Sequence, residues 1–150
     1  MSSNTDLTIL FDSVSIRRVA KAKNVHTDYT GLMNGIKMVF NVVDARLYVI
    51  KNIDSENDKF NGYLAQVERA GFSPVVQEVR KTDGFFCFTP QLCVDAMECK
   101  TEHVGIGTTD VSVLPLLQKL RERGHTVVLF GIEPPEIMMQ YVNHFYTAAK

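Results

Sequence analysis

Two aspartates stand where apolar runs of the chain end. Asp12 closes residues 7–12 (LTILFD), and Asp110 ends the Gly-Thr-Thr-Asp that follows the apolar segment 103–107. Carboxylates brought together at neighbouring strand ends repel one another unless they share a cation or a proton. Oxygen-only sites of this type suit Mg2+ or Mn2+, which keep several waters and bridge to phosphate. The chemistry such a pair supports is hydrolysis of a phosphodiester by metal-activated water. Each aspartate also has a plainer reading. Asp12 is placed to cap a helix starting near Ser13. Asp110 is harder to explain so, because Pro115 fits the first turn of the following helix. That makes Ser112 the better cap and leaves Asp110 in the loop ahead of it.

A second constellation follows Asp12 directly. Arg17, Arg18, Lys21, Lys23 and His26 lie between Ser13 and Thr27 with no acid among them. An electropositive segment beside an acidic pocket would hold a phosphate backbone over a metal. A solvated helix face is the alternative. Lys119, Arg121 and Arg123 read as such a face, and His103, His125 and His144 as scattered structural or surface residues.

The elements that must position these residues alternate strand and helix from end to end. Strands are expected at residues 7–12, 45–50, 75–79, 103–107 and 126–130. Apolar residues at helical spacing (Leu32, Ile36, Val39, Phe40, Val43) mark a helix over 28–43. Phe60, Tyr63, Leu64 and Val67 mark another, ending at Gly71. Thr89 as cap with Pro90 behind it opens a helix to about Lys100. Residues 113–123 form a helix closed by Gly124, and Pro134-Pro135 opens the last, with Met138-Met139 as core. Residues 85–88 read as a hairpin partner or a short extra strand.

Such alternation predicts an α/β domain of three layers, αβα: one mainly parallel five-stranded sheet with helices on both faces. Sites in these sheets form at the carboxyl ends of the strands, where the strand order reverses. With no repeat or linker in its 150 residues, the chain reads as one domain, 1–150.

Composition narrows the function class. Sixteen Lys plus Arg against seventeen Asp plus Glu leave a net charge of −1, so any nucleic-acid signal is local. Cys87, Cys93 and Cys99 show no zinc spacing and read as buried free thiols in a reducing compartment. Residues 1–6 are polar, without the apolar core of a signal peptide, and no apolar run approaches the ~20 residues of a membrane span. The expectation is a cytoplasmic protein with no membrane partner.

The segment GIGTTDVSVLPLLQKLRERGHTVVLFGI resembles the NYN domain, in particular the LabA-like branch of the PIN-like nuclease superfamily. There a strand leads into Ser-Gly-Asp-x-Asp-Phe, then Pro-Leu, a helix ending Arg-x-x-Gly, and another strand. Family Ser-Gly-Asp falls on Thr108, Thr109 and Asp110, the second aspartate on Ser112 and the phenylalanine on Val113. ILFDSVSI resembles the family's strand and Asp-Gly-x-Asn turn, with Asp12 matched, Ser13 for the glycine and Ser15 for the asparagine. In the middle of the chain the family has an aspartate just before a helix, which falls on Thr89, and another six residues later, which matches Asp95. Taken alone, Asp95 at the edge of an apolar arc reads as a solvated residue.

The resemblance implies a PIN-like fold and a metal-dependent ribonuclease, with hydroxyl residues replacing two acids and an asparagine in a divergent, slow member. Asp12, Asp95 and Asp110 would ligate Mg2+ or Mn2+, directly or through water, and mutual repulsion would push their pKa values up. Thr108, Thr109 and Ser15 would orient ligands or waters. Arg17, Arg18, Lys21 and Lys23 would hold RNA. The alternative is a catalytically degenerate domain that binds RNA or a protein, including a second copy of itself. A small-molecule phosphatase or nucleotide-binding protein on a similar sheet is a third reading.

Overall fold

The computed structural model describes residues 5–54, 58–84 and 86–149. In chain order the elements are β1 (Asp6–Asp12), α1 (Ser13–Ala22), α2 (Tyr29–Lys37), β2 (Asn41–Asn52), α3 (Asp58–Arg69) and β3 (Ser73–Val79). There follow α4 (Thr89–Met97), β4 (His103–Gly107), α5 (Leu114–Glu122), β5 (Thr126–Gly131), α6 (Glu136–Met139) and β6 (His144–Thr147). The strands form one six-stranded sheet in the order β3-β2-β1-β4-β5-β6, and every pairing is parallel. The chain winds outward from β1 to β3, returns to lay β4 against the other side of β1, and winds outward again. Strand order therefore reverses between β1 and β4, and the crevice at their carboxyl ends is the natural place for a site.

Burial on both faces explains why β1 is a continuous apolar run. Leu7, Ile9 and Phe11 pack with Ile16, Met33, Ile36 and Val67 from the first three helices. Leu10 points the other way, into Leu92, Ala96, Leu117 and Leu120 of α4 and α5. Side chains alternate along a strand, so Asp12 projects toward the same layer as Leu10. The helix layers thus lie on opposite faces, and full burial of each large apolar side chain contributes about 1.5–3 kcal/mol.

Several expectations change. The sheet has six strands, because the chain after Pro134-Pro135 forms only the four residues of α6 before turning into β6. Met138 is core as expected, at 0% exposure. β6 has no long apolar run; Asn143 secures its start by exchanging bonds with Val127, whose amide donates to the Asn143 Oδ1 at 2.9 Å. The helix expected over 28–43 stops at Lys37, and β2 starts at Asn41, whose amide donates to the Thr5 carbonyl at 2.9 Å beside β1. Val39 and Val43 are exposed, so their helical spacing was not a buried stripe. α4 ends at Met97, short of Lys100. Residues 86–88 form no strand, and Phe85 lies outside the described residues. Cys87, in that irregular stretch, is exposed, while Cys93 and Cys99 are partly buried; all three are free. Among the described residues no helix is long and apolar enough to cross a membrane.

One glycine joins the core to the site. A Cβ at Gly107, the last residue of β4, would collide with the Phe11 ring, which is fully buried and cannot withdraw. Gly107→Ala should lower stability by about 1–3 kcal/mol through overpacking. Gly35→Ala is the control: it lies within α2 with nothing within 4 Å of the added carbon, and should stabilise by about 0.5–1 kcal/mol. Urea unfolding midpoints of the two variants should move in opposite directions; equal shifts would show that Phe11 does not close the space over Gly107.

Candidate active site

β1 ends at Asp12, and the same residue caps α1. Its Oδ1 accepts from the Val14 amide at 3.0 Å and the Ser15 amide at 3.3 Å, meeting two of the orphan donors at the helix start. Next to it, β4 runs through Gly107 into Thr108, Thr109 and Asp110. The two strand ends are tied by hydroxyls. Ser15 Oγ lies 3.2 Å from Thr108 Oγ1 and accepts from the Thr109 amide at 3.1 Å. Thr109 Oγ1 donates to the Ser15 carbonyl at 2.9 Å, and Thr108 Oγ1 accepts from the Asp110 amide at 3.0 Å. Ser13, where the resemblance has glycine, donates its hydroxyl to the Tyr48 carbonyl on β2 at 2.7 Å.

Asp110 also caps, against expectation. Its Oδ1 accepts from the Ser112 amide at 3.0 Å, opening a 3-10 turn over Val111–Val113 that runs into α5, so Ser112 is the capped residue and not the cap. Its Oδ2 accepts from the Thr89 hydroxyl at 2.6 Å. Thr89 thus turns its side chain to Asp110 and makes no capping bond for α4.

Asp12 and Asp110 line one cleft of about 330 Å3 together with Ser15, Arg18, Thr89, Thr109 and Cys87. The pair is electrostatically unequal. Burial pushes Asp12 above the usual carboxylate range, and the nearby Asp110 charge adds to this, while the Ser15 and Val14 hydrogen bonds oppose it. For Asp110, partial burial acts upward but is outweighed by hydrogen bonds from Thr89 and Ser112 and by the Arg18 charge, so its pKa falls. The expected upward shift therefore holds for Asp12 and fails for Asp110, because donors and a guanidinium stabilise its charge.

Asp95 does not join them. Its Oδ2 accepts from the Tyr48 hydroxyl at 2.6 Å, with Arg46 Nη1 at 3.9 Å, and its Oδ1 accepts from Gln91 Nε2 at 2.9 Å. Burial and the Asp95 bond push Tyr48 upward, so it remains the proton donor. Asp95 is held on the flank of β2 by these contacts, is not among the residues lining the acidic cleft, and is partnered rather than the solvated residue its place on the helix suggests. Among the described residues no group of three or more His, Cys, Asp or Glu side chains is gathered as metal ligands would be.

The basic residues divide as well. Arg18 lines the acidic cleft; Arg17 and Lys21 line a larger neighbouring cavity, and Arg17 sits over the Tyr63 ring at 5.2 Å. Lys23 lines neither, being paired with Glu133 at 2.9 Å. Thr108, Thr109 and Ser15 are engaged with one another and the backbone, so they position the acids. Sequence reading missed Cys87 in the cleft, Tyr48 as the Asp95 partner, and the aromatic wall beside Arg17. No local signal marks these, since each contact is made across the fold.

The family model for the NYN domain matches residues 6–148, and the chain belongs to that family. No curated protein matches the sequence. Among solved structures, the crystal structure of a protein of unknown function from Vibrio parahaemolyticus matches with a TM-score of 0.84 and 18% identity, covering 98% of this chain and 96% of that one. That likeness carries the fold.

Asp12 sets a stability test. Its pKa is raised on folding, so charging it costs stability as pH rises through the folded-state value. Asn keeps a capping oxygen without the charge. In chelator at neutral pH, Asp12→Asn should therefore melt above wild type, and the gap should close as pH falls below the usual carboxylate range. A variant melting below wild type at neutral pH would show that the buried charge is already compensated.

Proposed function

We propose that this chain is a slow, metal-dependent ribonuclease whose acidic cleft holds one hydrated Mg2+ or Mn2+. The observation that carries this reading is the placement of Asp12 and Asp110 in one cleft at the reversal of strand order, where burial, with a smaller contribution from the Asp110 charge, raises the pKa of Asp12. A buried carboxylate disfavoured in its charged form beside a second carboxylate is an environment that a cation relieves. Membership of the NYN family supports a PIN-like nuclease ancestry, in which divalent metals are general.

Two carboxylates and otherwise water fit a single hydrated divalent ion, which keeps much of its own shell. Asp12 would hold it through Oδ2, since both capping amides fall on Oδ1. Asp110 would hold it through an oxygen it shares with Thr89 or Ser112. When bound, such an ion polarises water and offsets negative charge on the phosphodiester. Arg18 binds a phosphate oxygen at the rim, while Ser15, Thr108 and Thr109 lock the two strand ends at fixed separation. The reaction adds water to phosphorus, breaks one P–O ester bond, and leaves the proton on the departing oxygen.

Thr89 and Ser112 stand where the family pattern has acids, so negative charge for a second ion is missing. Occupancy is then weak and single, and Mn2+ serves better than Mg2+ because it binds such ligands more tightly. The second reading, an RNA-binding domain without cleavage, is favoured by the fact that both Asp110 oxygens already accept hydrogen bonds. RNA is the partner in either reading, and free thiols suit a reducing, cytoplasmic setting.

Labelled single-stranded RNA incubated with Mn2+, with and without chelator, separates the two. Wild type should cleave slowly with Mn2+ and not in chelator. Asp110→Asn should reduce cleavage about a hundredfold or more and leave RNA retention nearly intact. Arg17→Ala combined with Arg18→Ala should weaken retention and flatten its log–log salt slope by roughly one to two. Unchanged cleavage by Asp110→Asn would assign the activity to a contaminant and leave the non-catalytic reading standing.

A further inference from the structure

Across the first turns of α1 from the acidic cleft lies a larger cavity of about 650 Å3, within the range that takes a small organic ligand. Its floor is Val49 and Ile50 at the end of β2, and its walls carry Arg17, Arg18, Lys21, His26, Phe60 and Tyr63. Among the described residues no carboxylate lines it. Cations alone on a helix would be a solvated face. Here they rim a concave space with an aromatic wall, which is a different object. Tyr63 is itself held between Tyr29, stacked at 6.4 Å, and Arg17 at 5.2 Å, so the guanidinium already lies over an aromatic face at the cavity wall. Val14 and Arg18 line both this cavity and the acidic cleft, so one molecule can run from one to the other over α1.

Cationic groups for phosphate beside an aromatic surface for a planar ring are complementary to a nucleotide. We propose that the cavity holds one nucleotide of the same RNA strand whose phosphodiester lies between Asp12, Asp110 and Arg18. Its base lies against Phe60 and the Arg17 guanidinium, and its phosphate on Arg18 and Lys21. A base reaches this cavity only by leaving its stack, so the site selects single strands over duplex. The inference rests on the reading of the acidic cleft as an RNA site, and adds the subsite that chooses the strand.

The test is fluorescence anisotropy of a short fluorescein-labelled oligouridylate in chelator, where cleavage does not enter. Phe60→Ala should weaken binding about tenfold, the loss of one stacking platform. Phe60 also packs against the core, so Phe60→Leu, which keeps apolar volume, guards against a folding defect; it should lose binding while melting like wild type. Lys21→Glu, at an exposed position, should weaken binding to a similar degree with a shallower salt slope. The same sequence as a duplex should bind worse, and UMP should compete only far above the strand's own working concentration. Variants that bind like wild type, a duplex bound equally well, or no binding by wild type would each overturn the proposal. UMP displacing the strand at matching concentration would overturn it too, in favour of a free-nucleotide pocket. Mn2+ cleavage assays on the same proteins keep the two readings apart. Cleavage by wild type with no Phe60 effect on binding sinks the cavity alone; Phe60-dependent binding without cleavage sinks the nuclease alone.

Discussion

Parallel pairing of β1 with β4 carries Asp12 and Asp110 to one place, and the rest of the site depends on it. The register sets Phe11 opposite Gly107, so the pairing ends one step before Asp12 on β1 and before the loop that bears Asp110 on β4. That pairing needs a glycine at its end, because Phe11 occupies the space where a Cβ would stand. The turn beyond is then closed by hydroxyls, Ser15 with Thr108 and Thr109, which bond to each other and to backbone across a span of more than ninety residues in sequence. A hydroxyl network can do this without adding charge beside two carboxylates, which acids at the same positions could not.

The two carboxylates owe their differences to what surrounds them. Asp12 is 2% exposed and has amide donors on one oxygen only, so burial dominates and the charged form is disfavoured. Asp110 sits nearer solvent, with a hydroxyl and an amide on opposite oxygens and Arg18 nearby, and its charge is favoured. One acid is held ready and the other under strain, an arrangement typical of sites where charge matters more than stability. Thr89 is central to this asymmetry: where an acid would repel Asp110, its hydroxyl donates to it.

Much of the fold was legible in the sequence. Residues 103–107 were bounded correctly, because a strand covered on both faces is apolar throughout and Gly107 ends it. β6 was not legible: HFYT is short, lies at the sheet edge, and holds its place by Asn143 and by pairing with β5. The strand-end rule singles out Asp12 and Asp110, and the fold brings both to the lining of one cleft. What it posed as alternatives, cap or cleft residue, turned out compatible, since a carboxylate has two oxygens. Asp95 was misread because its partner Tyr48 lies 47 positions away, and helical spacing within α4 carries no information about β2. Lys23 was grouped with its basic neighbours by proximity in sequence, yet the far end of α1 brings it to Glu133.

The central claim is that two carboxylates at the strand-order reversal form a single cation site. Calorimetric titration of the metal-free protein with Mn2+ tests it most directly. One ion per chain is expected, binding weakly, with no measurable heat in a protein carrying both Asp12→Asn and Asp110→Asn. Two ions per chain, or one ion bound unchanged after both carboxylates are removed, would contradict it.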